Sequence, residues 1–154
     1  MTDKDDTSKE RDLWMVLAEV FSSQNLAVLA TLGDEQPYCC LVGFAALPDM
    51  KHLLFATKRS TRKFSNISGN AHIAMMIDTR ANKSSDFQRA IAVTAIGEAQ
   101  EIPKTSGSLQ VDCYLDKHSD LAEFMLSPDC ALLCVEVSNY VIVQEFQQVS
   151  EINL

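Results

Sequence analysis

No stretch of this sequence approaches the run of ~18 to 20 apolar residues that a membrane-spanning helix needs. Its first twelve residues, MTDKDDTSKERD, are charged where a secretion signal would have an apolar core. Together these absences predict a cytoplasmic chain that does not enter a membrane. Basic residues are scarce, 13 Lys and Arg against 21 Asp and Glu, and the formal charge of −8 opposes a general nucleic-acid role. With only 5 glycines the chain has neither GxGxxG nor a P-loop, which disfavours dinucleotide binding on a Rossmann unit. The cysteines are odd in number at 5, and Cys39 and Cys40 are adjacent on a predicted strand, pointing to opposite faces. A disulfide framework is not expected, and the thiols should be reduced. No Cys-x2-Cys or His-x3-His spacing is present, and Cys130 and Cys134 share a strand face but lie about 13 Å apart at ~3.3 Å per residue. No metal site follows. No local pattern marks a cysteine nucleophile with a partnered histidine, and no catalytic residue is assigned.

What remains is a chain of 154 residues, suited to one domain spanning 1–154 with residues 1–6 as a flexible tail. Thr7 and Glu10 form a capping-box pattern, and Leu13, Val16, Leu17, Val20 and Phe21 recur at helical spacing, predicting a first helix to about Ser22. Trp14 flanks that stripe and should pack on the domain or on a partner subunit. From Leu26 the pattern becomes β-rich. LAVLATL, PYCCLVGFAAL and HLLFAT read as three hairpin-connected antiparallel strands, with GDEQ and Pro48-Asp49 as turns. AHIAMMI is apolar on both alternating faces, with Ile73, Met75 and Ile77 on one and Ala74 and Met76 on the other. TRANKSSDFQ reads as a long loop. Arg89 to Ile102 reads as a strand bent at Gly97, followed by two short helices over Leu109–His118 and Leu121–Leu126. CALLCVEV and NYVIVQEF read as a closing hairpin. Helices do not alternate with strands, so the pattern predicts a mainly β (α+β) fold: a six- to seven-stranded antiparallel barrel with an N-terminal helix and short helical insertions.

One segment stands apart in charge. Between Asp49 and Asp78 there is no acidic residue, yet Lys58, Arg59, Arg62 and Lys63 crowd together. Ser60 as N-cap, Phe64 and Ile67 three apart, and Gly69-Asn70 as a stop predict a two-turn helix whose first turn carries Arg62 and Lys63. Cations there face the positive end of the helix dipole, an arrangement that an anion such as phosphate would relieve. The alternative is a solvated basic loop.

In FATKRSTRKFSNI, an aromatic-x-Thr strand end leads through a short loop into Thr-Arg-Lys. This resembles the flavin-phosphate segment of the pyridoxamine 5'-phosphate oxidase-like, FMN-binding split-barrel superfamily. The resemblance extends from about Leu26 to Val143, through the first hairpins, the Gly-x-Ala of AIAVTAIGEAQEI, and YLDKHSDLAEF, which is similar to members related to haem utilisation. It implies FMN as cofactor. Thr57, Lys58, Thr61, Arg62 and Lys63 match the phosphate and ribityl-binding segment. Cys39, Cys40, Leu41 and Val42 match the strand that runs along the isoalloxazine ring. Arg80 could reach a flavin or a facing subunit, or be solvated. In pyridoxamine 5'-phosphate oxidases proper, a C-terminal segment with Trp and Arg completes the vitamin site. This chain ends VIVQEFQQVSEINL with neither, so oxidation of pyridoxamine 5'-phosphate is not expected.

The leading expectation is a homodimeric flavoprotein, a small oxidoreductase of unknown substrate, with its flavin in the cleft between subunits. A flavin carries its own hydride and electron chemistry, which fits the lack of an acid–base constellation. AHIAMMI and the face around Phe44 supply the apolar surface expected to pair the two copies. The alternatives are a haem-binding or haem-utilisation protein on the same barrel, with His118 as conceivable ligand, and a non-enzymatic flavin binder. The sequence does not separate FMN from a deazaflavin.

Overall fold

The structure, a computed structural model, describes residues 3–154, with side chains from Thr7 onward. Helix α1 spans Asp3–Ser23, so it begins one turn before the expected Thr7 cap; of the expected tail, Met1 and Thr2 lie outside the described residues. Seven strands follow: β1 Leu26–Gly33, β2 Gln36–Ala46, β3 His52–Lys58, β4 His72–Asp78, β5 Ala92–Ile102, β6 Cys130–Gln144 and β7 Gln148–Asn153. Their order is β3-β2-β1-β4-β5-β6-β7, all antiparallel, and a further pairing of β3 with β6 closes the first six into a barrel. The closure is partial at β2, which pairs with β3 only over Phe44–Ala46 and leaves residues 36–43 without a strand partner on that side among the described residues, and β7 extends the sheet from β6.

Alternation of the strands sets the two sides of the barrel wall. Leu29, Phe44, Phe55, Met75, Ile77, Val93, Leu133 and Ile142 fill the interior, plugged at one end by Leu17, Val20 and Phe21 of α1. Trp14 packs edge-on against Tyr140, the role expected for it. A second cluster lies outside the wall, where Ala45, Leu54, Leu132, Cys130 and Cys134 are covered by α4 (Leu109–Lys117) and α5 (Ala122–Leu126) through Val111, Tyr114 and Met125. Cys130 and Cys134 thus share one face of β6, as their spacing predicts.

The structure differs from these expectations at β6, at the start of β5 and at Phe44. The segment Cys130–Gln144 is one continuous strand and not a hairpin, because Ser138 and Asn139 hold no turn. The reversal comes later, at Glu145, Phe146 and Gln147, all in the left-handed backbone region. The 79–91 connection contains a short helix, α3 (Asp86–Arg89), so β5 starts at Ala92 rather than Arg89. Asp86 holds that loop by accepting from the backbone N–H groups of Ala81 and Lys83. Phe44 is fully buried inside the barrel, so the face around it offers no exposed surface. The bend expected at Gly97 is a bulge between Ile96 and Gly97. A Cβ there would stand 2.1 Å from the Glu136 carbonyl oxygen, so only glycine allows β5 and β6 to meet. Among the described residues no helix is long and apolar enough to cross a membrane.

Candidate functional site

The basic segment leaves β3 at Lys58 and enters α2 (Arg62–Gly69) through a short turn. The N-cap is Thr61 and not Ser60: its Oγ1 accepts from the Phe64 N–H, and its backbone is extended, as a cap requires. Arg62 and Lys63 therefore occupy the first two helical positions, where backbone N–H groups have no partner one turn earlier. Thr61 Oγ1 donates to Lys58 O at 2.9 Å and meets Thr57 Oγ1 at 2.9 Å. The two hydroxyls share a hydrogen bond, and both lie within reach of Lys58 O. Both threonines fix the turn, and so position the two cations that follow. In its second turn α2 is tied to the barrel by Asn66, whose Nδ2 donates to Thr31 Oγ1 at 2.9 Å. A Cβ on Gly33 would overlap the Asn66 side chain, so glycine makes room for the helix at the rim of β1.

The four cations divide. The Arg59 guanidinium donates to Glu101 and to Pro128 O, turned toward β5 and the start of β6. Lys58 stands 3.7 Å from Asp129, an exposed pair of small energetic weight. Arg62 lies over the Tyr38 ring, 4.6 Å from its centroid, a cation–π contact. Among the described residues neither Arg62 nor Lys63 has a carboxylate within ion-pair reach. Lys63 enters a cleft of about 310 Å³ whose walls also include Leu41, Val42, Thr57, Lys58 and Thr61.

Six of the ten sequence-derived site residues thus meet in one cleft, which sets cations and the start of a helix against an apolar strand. The other four sit around it. Arg62 is on the Tyr38 side, Cys39 points outward and is exposed, and Cys40 points inward toward Leu29 O. Burial pushes the Cys40 thiol up, with Lys63 offsetting only part of it, so it stays a thiol and not a nucleophilic thiolate. Arg80 bonds Asp78 at 2.9 Å and lines a neighbouring groove that shares Leu41 with the first cleft.

Sequence reading missed the outer wall of the cleft, formed by Tyr114, Leu121 and Phe124 of the helical segment. The signal is their apolar spacing in YLDKHSDLAEF, but nothing local shows that this segment folds back over β2. Burial raises the Tyr114 phenol to about 12, so it is a neutral hydroxyl at ordinary pH. His118 Nε2 is 2.6 Å from Phe44 O and its ring packs on Tyr114. Among the described residues no group of three or more His, Cys, Asp or Glu converges as metal ligands.

A closed six-stranded antiparallel barrel with one added strand, a helix plugging one end and a cleft at a strand-to-helix turn defines a split-barrel protein. Residues 14–139 match the family model described as pyridoxamine 5'-phosphate oxidase, and the chain belongs to that family. No curated protein matches the sequence. Among solved structures, the haem-binding protein of Mycobacterium smegmatis superposes with a TM-score of 0.77 at 16% identity, over 87% of this chain and 55% of that one. This chain thus spans about half the length of that relative. An FAD-binding protein of Mesorhizobium loti matches with a TM-score of 0.67 at 18% identity, over 83% of this chain and 90% of that one. The haem storage protein HutZ of Vibrio cholerae gives 0.63 at 13% identity, over 79% and 87%. At such identities the likeness is one of fold.

Proposed function

We propose that this chain binds FMN as a homodimer and serves as a small flavin-dependent oxidoreductase. The observation that carries the reading is the cleft in which Lys63 and the first turn of α2, free of any carboxylate, face the apolar wall of Leu41 and Val42. That donor set suits a phosphate. Backbone N–H groups at a helix start and an unpaired ammonium are complementary to a dianion, while Thr57 and Thr61 hold the turn that aims them. Arg62 reaches the same anion by leaving Tyr38. Lys58, loosely paired with Asp129, adds to the positive field. Cys39, Cys40, Leu41 and Val42 lie in line along β2, where their backbone can run beside a flat ring. The bound flavin supplies hydride and electron transfer, and the chain's task is to orient it and keep water from one face.

Two features support a second subunit in this reading. At about 310 Å³ the cleft is at the low end of the ~300 to 1,000 Å³ usual for small-molecule sites, so a partner surface would complete it. Next to it lies an apolar face on the outside of the barrel. Leu41, Val28, Met76, Thr94 and Val141 stand opposite one another across five strands, and Ala30, Ala74 and Ile96 form the adjacent row. Leu41 is 63% and Ile96 43% exposed, and a contiguous face of this kind marks an interface. Arg80, at the border of that face, can reach across it.

Haem is the second reading, favoured by the haem-binding and haem storage proteins that share the fold. In this chain His118 Nε2 is already engaged by Phe44 O, which does not leave it free as an axial ligand through that nitrogen. The two readings separate on one measurement: apoprotein is mixed in turn with FMN and with haemin, and the bound fraction is scanned in the visible. Retained flavin absorption near ~370 and ~450 nm with no Soret band from haemin is the expected result, following from the cofactors' own chromophores. Stable haemin uptake without flavin uptake would reverse the assignment.

A further inference from the structure

A second cleft, of about 680 Å³, opens at the end of the barrel plugged by α1, between α1, the end of β2 and α4. Its walls are chiefly apolar, including Phe21, Ala46, Leu47 and Met50, and the polar groups within it are few. One is Lys117. Its Nζ lies 3.9 Å from the centroid of the Phe44 ring and donates to Phe21 O at 2.7 Å. An ammonium has three donors, and only that one has a protein acceptor among the described residues. Among the described residues no carboxylate lies within ion-pair reach of it. Burial holds its pKa down, to about 8, the mark of a cation whose lost hydration is not replaced by a counter-charge.

We propose that this cleft binds an aliphatic monocarboxylate, whose carboxylate pairs with the free donors of Lys117 and whose chain lies along the apolar wall. Charge complementarity selects the head group. An unpaired ammonium at the edge of an apolar cleft favours a ligand that brings one negative charge and a hydrocarbon body. A dianion such as phosphate is a poorer fit, because Lys117 is the one cation among the described residues that line the cleft, and the carbonyl end of α1 turns toward it at Phe21 O. The carbonyl end of a helix carries partial negative charge and penalises a second charge on the ligand. This site is separate from the α2 cleft and stands whether or not a flavin binds there.

The test is calorimetric titration of the full chain with decanoate below its micelle concentration, beside decanol as the uncharged analogue of the same length. Decanoate should bind one per chain, about tenfold or more tighter than decanol, the ratio set by one charge-assisted contact. Lys117→Met should reduce decanoate to the level of decanol, and Lys117→Arg should restore most of the difference. Because Lys117 also caps α1, a second variant leaves it in place: Ala18→Trp, at an exposed helix position on the rim, should block both ligands while circular dichroism stays unchanged. Equal binding of decanoate and decanol, no binding of either, or undiminished decanoate binding by Lys117→Met or Ala18→Trp would overturn the proposal. So would a change of oligomeric state in Ala18→Trp, which would assign the cleft to a second copy of the chain.

Discussion

Replacing Arg62 and Lys63 together by alanine is expected to weaken FMN binding by at least about a hundredfold, while the apoprotein stays folded and becomes slightly more stable. Each charge-assisted hydrogen bond to a phosphate contributes about 1.5 to 3 kcal/mol, and about 1.4 kcal/mol is a factor of ten in affinity. Removing both cations gives the expected range. The gain in apoprotein stability has the opposite origin. Both cations sit in the first turn of α2, against the positive end of its dipole, and without an anion each such placement is unfavourable by about 0.3 to 1 kcal/mol. The single variants should differ. Lys63 lines the cleft, whereas Arg62 gives up its place over Tyr38 to reach an anion, so Lys63→Ala should have the larger effect. Fluorescence titration of apoprotein with FMN, paired with thermal unfolding of the ligand-free forms, checks both halves. Unchanged FMN affinity in the double variant would restore the solvated-loop reading of the segment.

Met76→Glu is expected to convert the protein to monomer and to lower its flavin content at the same time. Met76 stands in the middle of the row that runs from Leu41 to Val141, on the outer face of β4. In a two-fold dimer built on this face the substitution enters the interface twice, and each unpaired charge buried there costs several kcal/mol. The fold should survive, because the Met76 side chain faces away from the barrel core while Met75 and Ile77 fill it. Sedimentation at micromolar concentration reads the first effect, and the ratio of flavin to protein absorbance reads the second. A wild-type chain that sediments as a monomer, or a monomeric variant that keeps its full flavin content, would each remove the partner from the site.

The barrel is legible in the sequence because its strands alternate and its turns carry their own chemistry. GDEQ reverses at Asp34 and Glu35 with both residues in the left-handed region, and Gly97 marks the place on β5 that faces the bulged residue Ser138 of β6. Legibility fails where the deciding neighbours are distant in sequence. The segment of β6 reads as a hairpin because Ser138 and Asn139 interrupt two apolar runs. The strand instead continues through them, held by β5 on one side and β7 on the other, and Ser138 Oγ bonds Ile96 O across the bulge. Ser60 and Thr61 are both capping residues one position apart. What selects Thr61 is its bond with Thr57 Oγ1, a partner set by where β3 ends. The basic residues stand out as a group, but their division does not, since Arg59 is claimed by Glu101 from 42 positions away. The helical wall over the cleft is hidden for the same reason: Tyr114 meets β2 at Gly43, 71 positions earlier.

The proposed function rests on recognition of a flavin's phosphate by the first turn of α2. The most direct measurement removes the phosphate and leaves the ring: apoprotein is titrated with FMN and with riboflavin under the same conditions, in wild type and in the Arg62→Ala, Lys63→Ala double variant. FMN should bind wild type at least about tenfold tighter than riboflavin, by the energy of its charge-assisted hydrogen bonds, and the difference should largely vanish in the double variant. Equal affinity of wild type for the two flavins, or a preference that survives loss of both cations, would contradict the account.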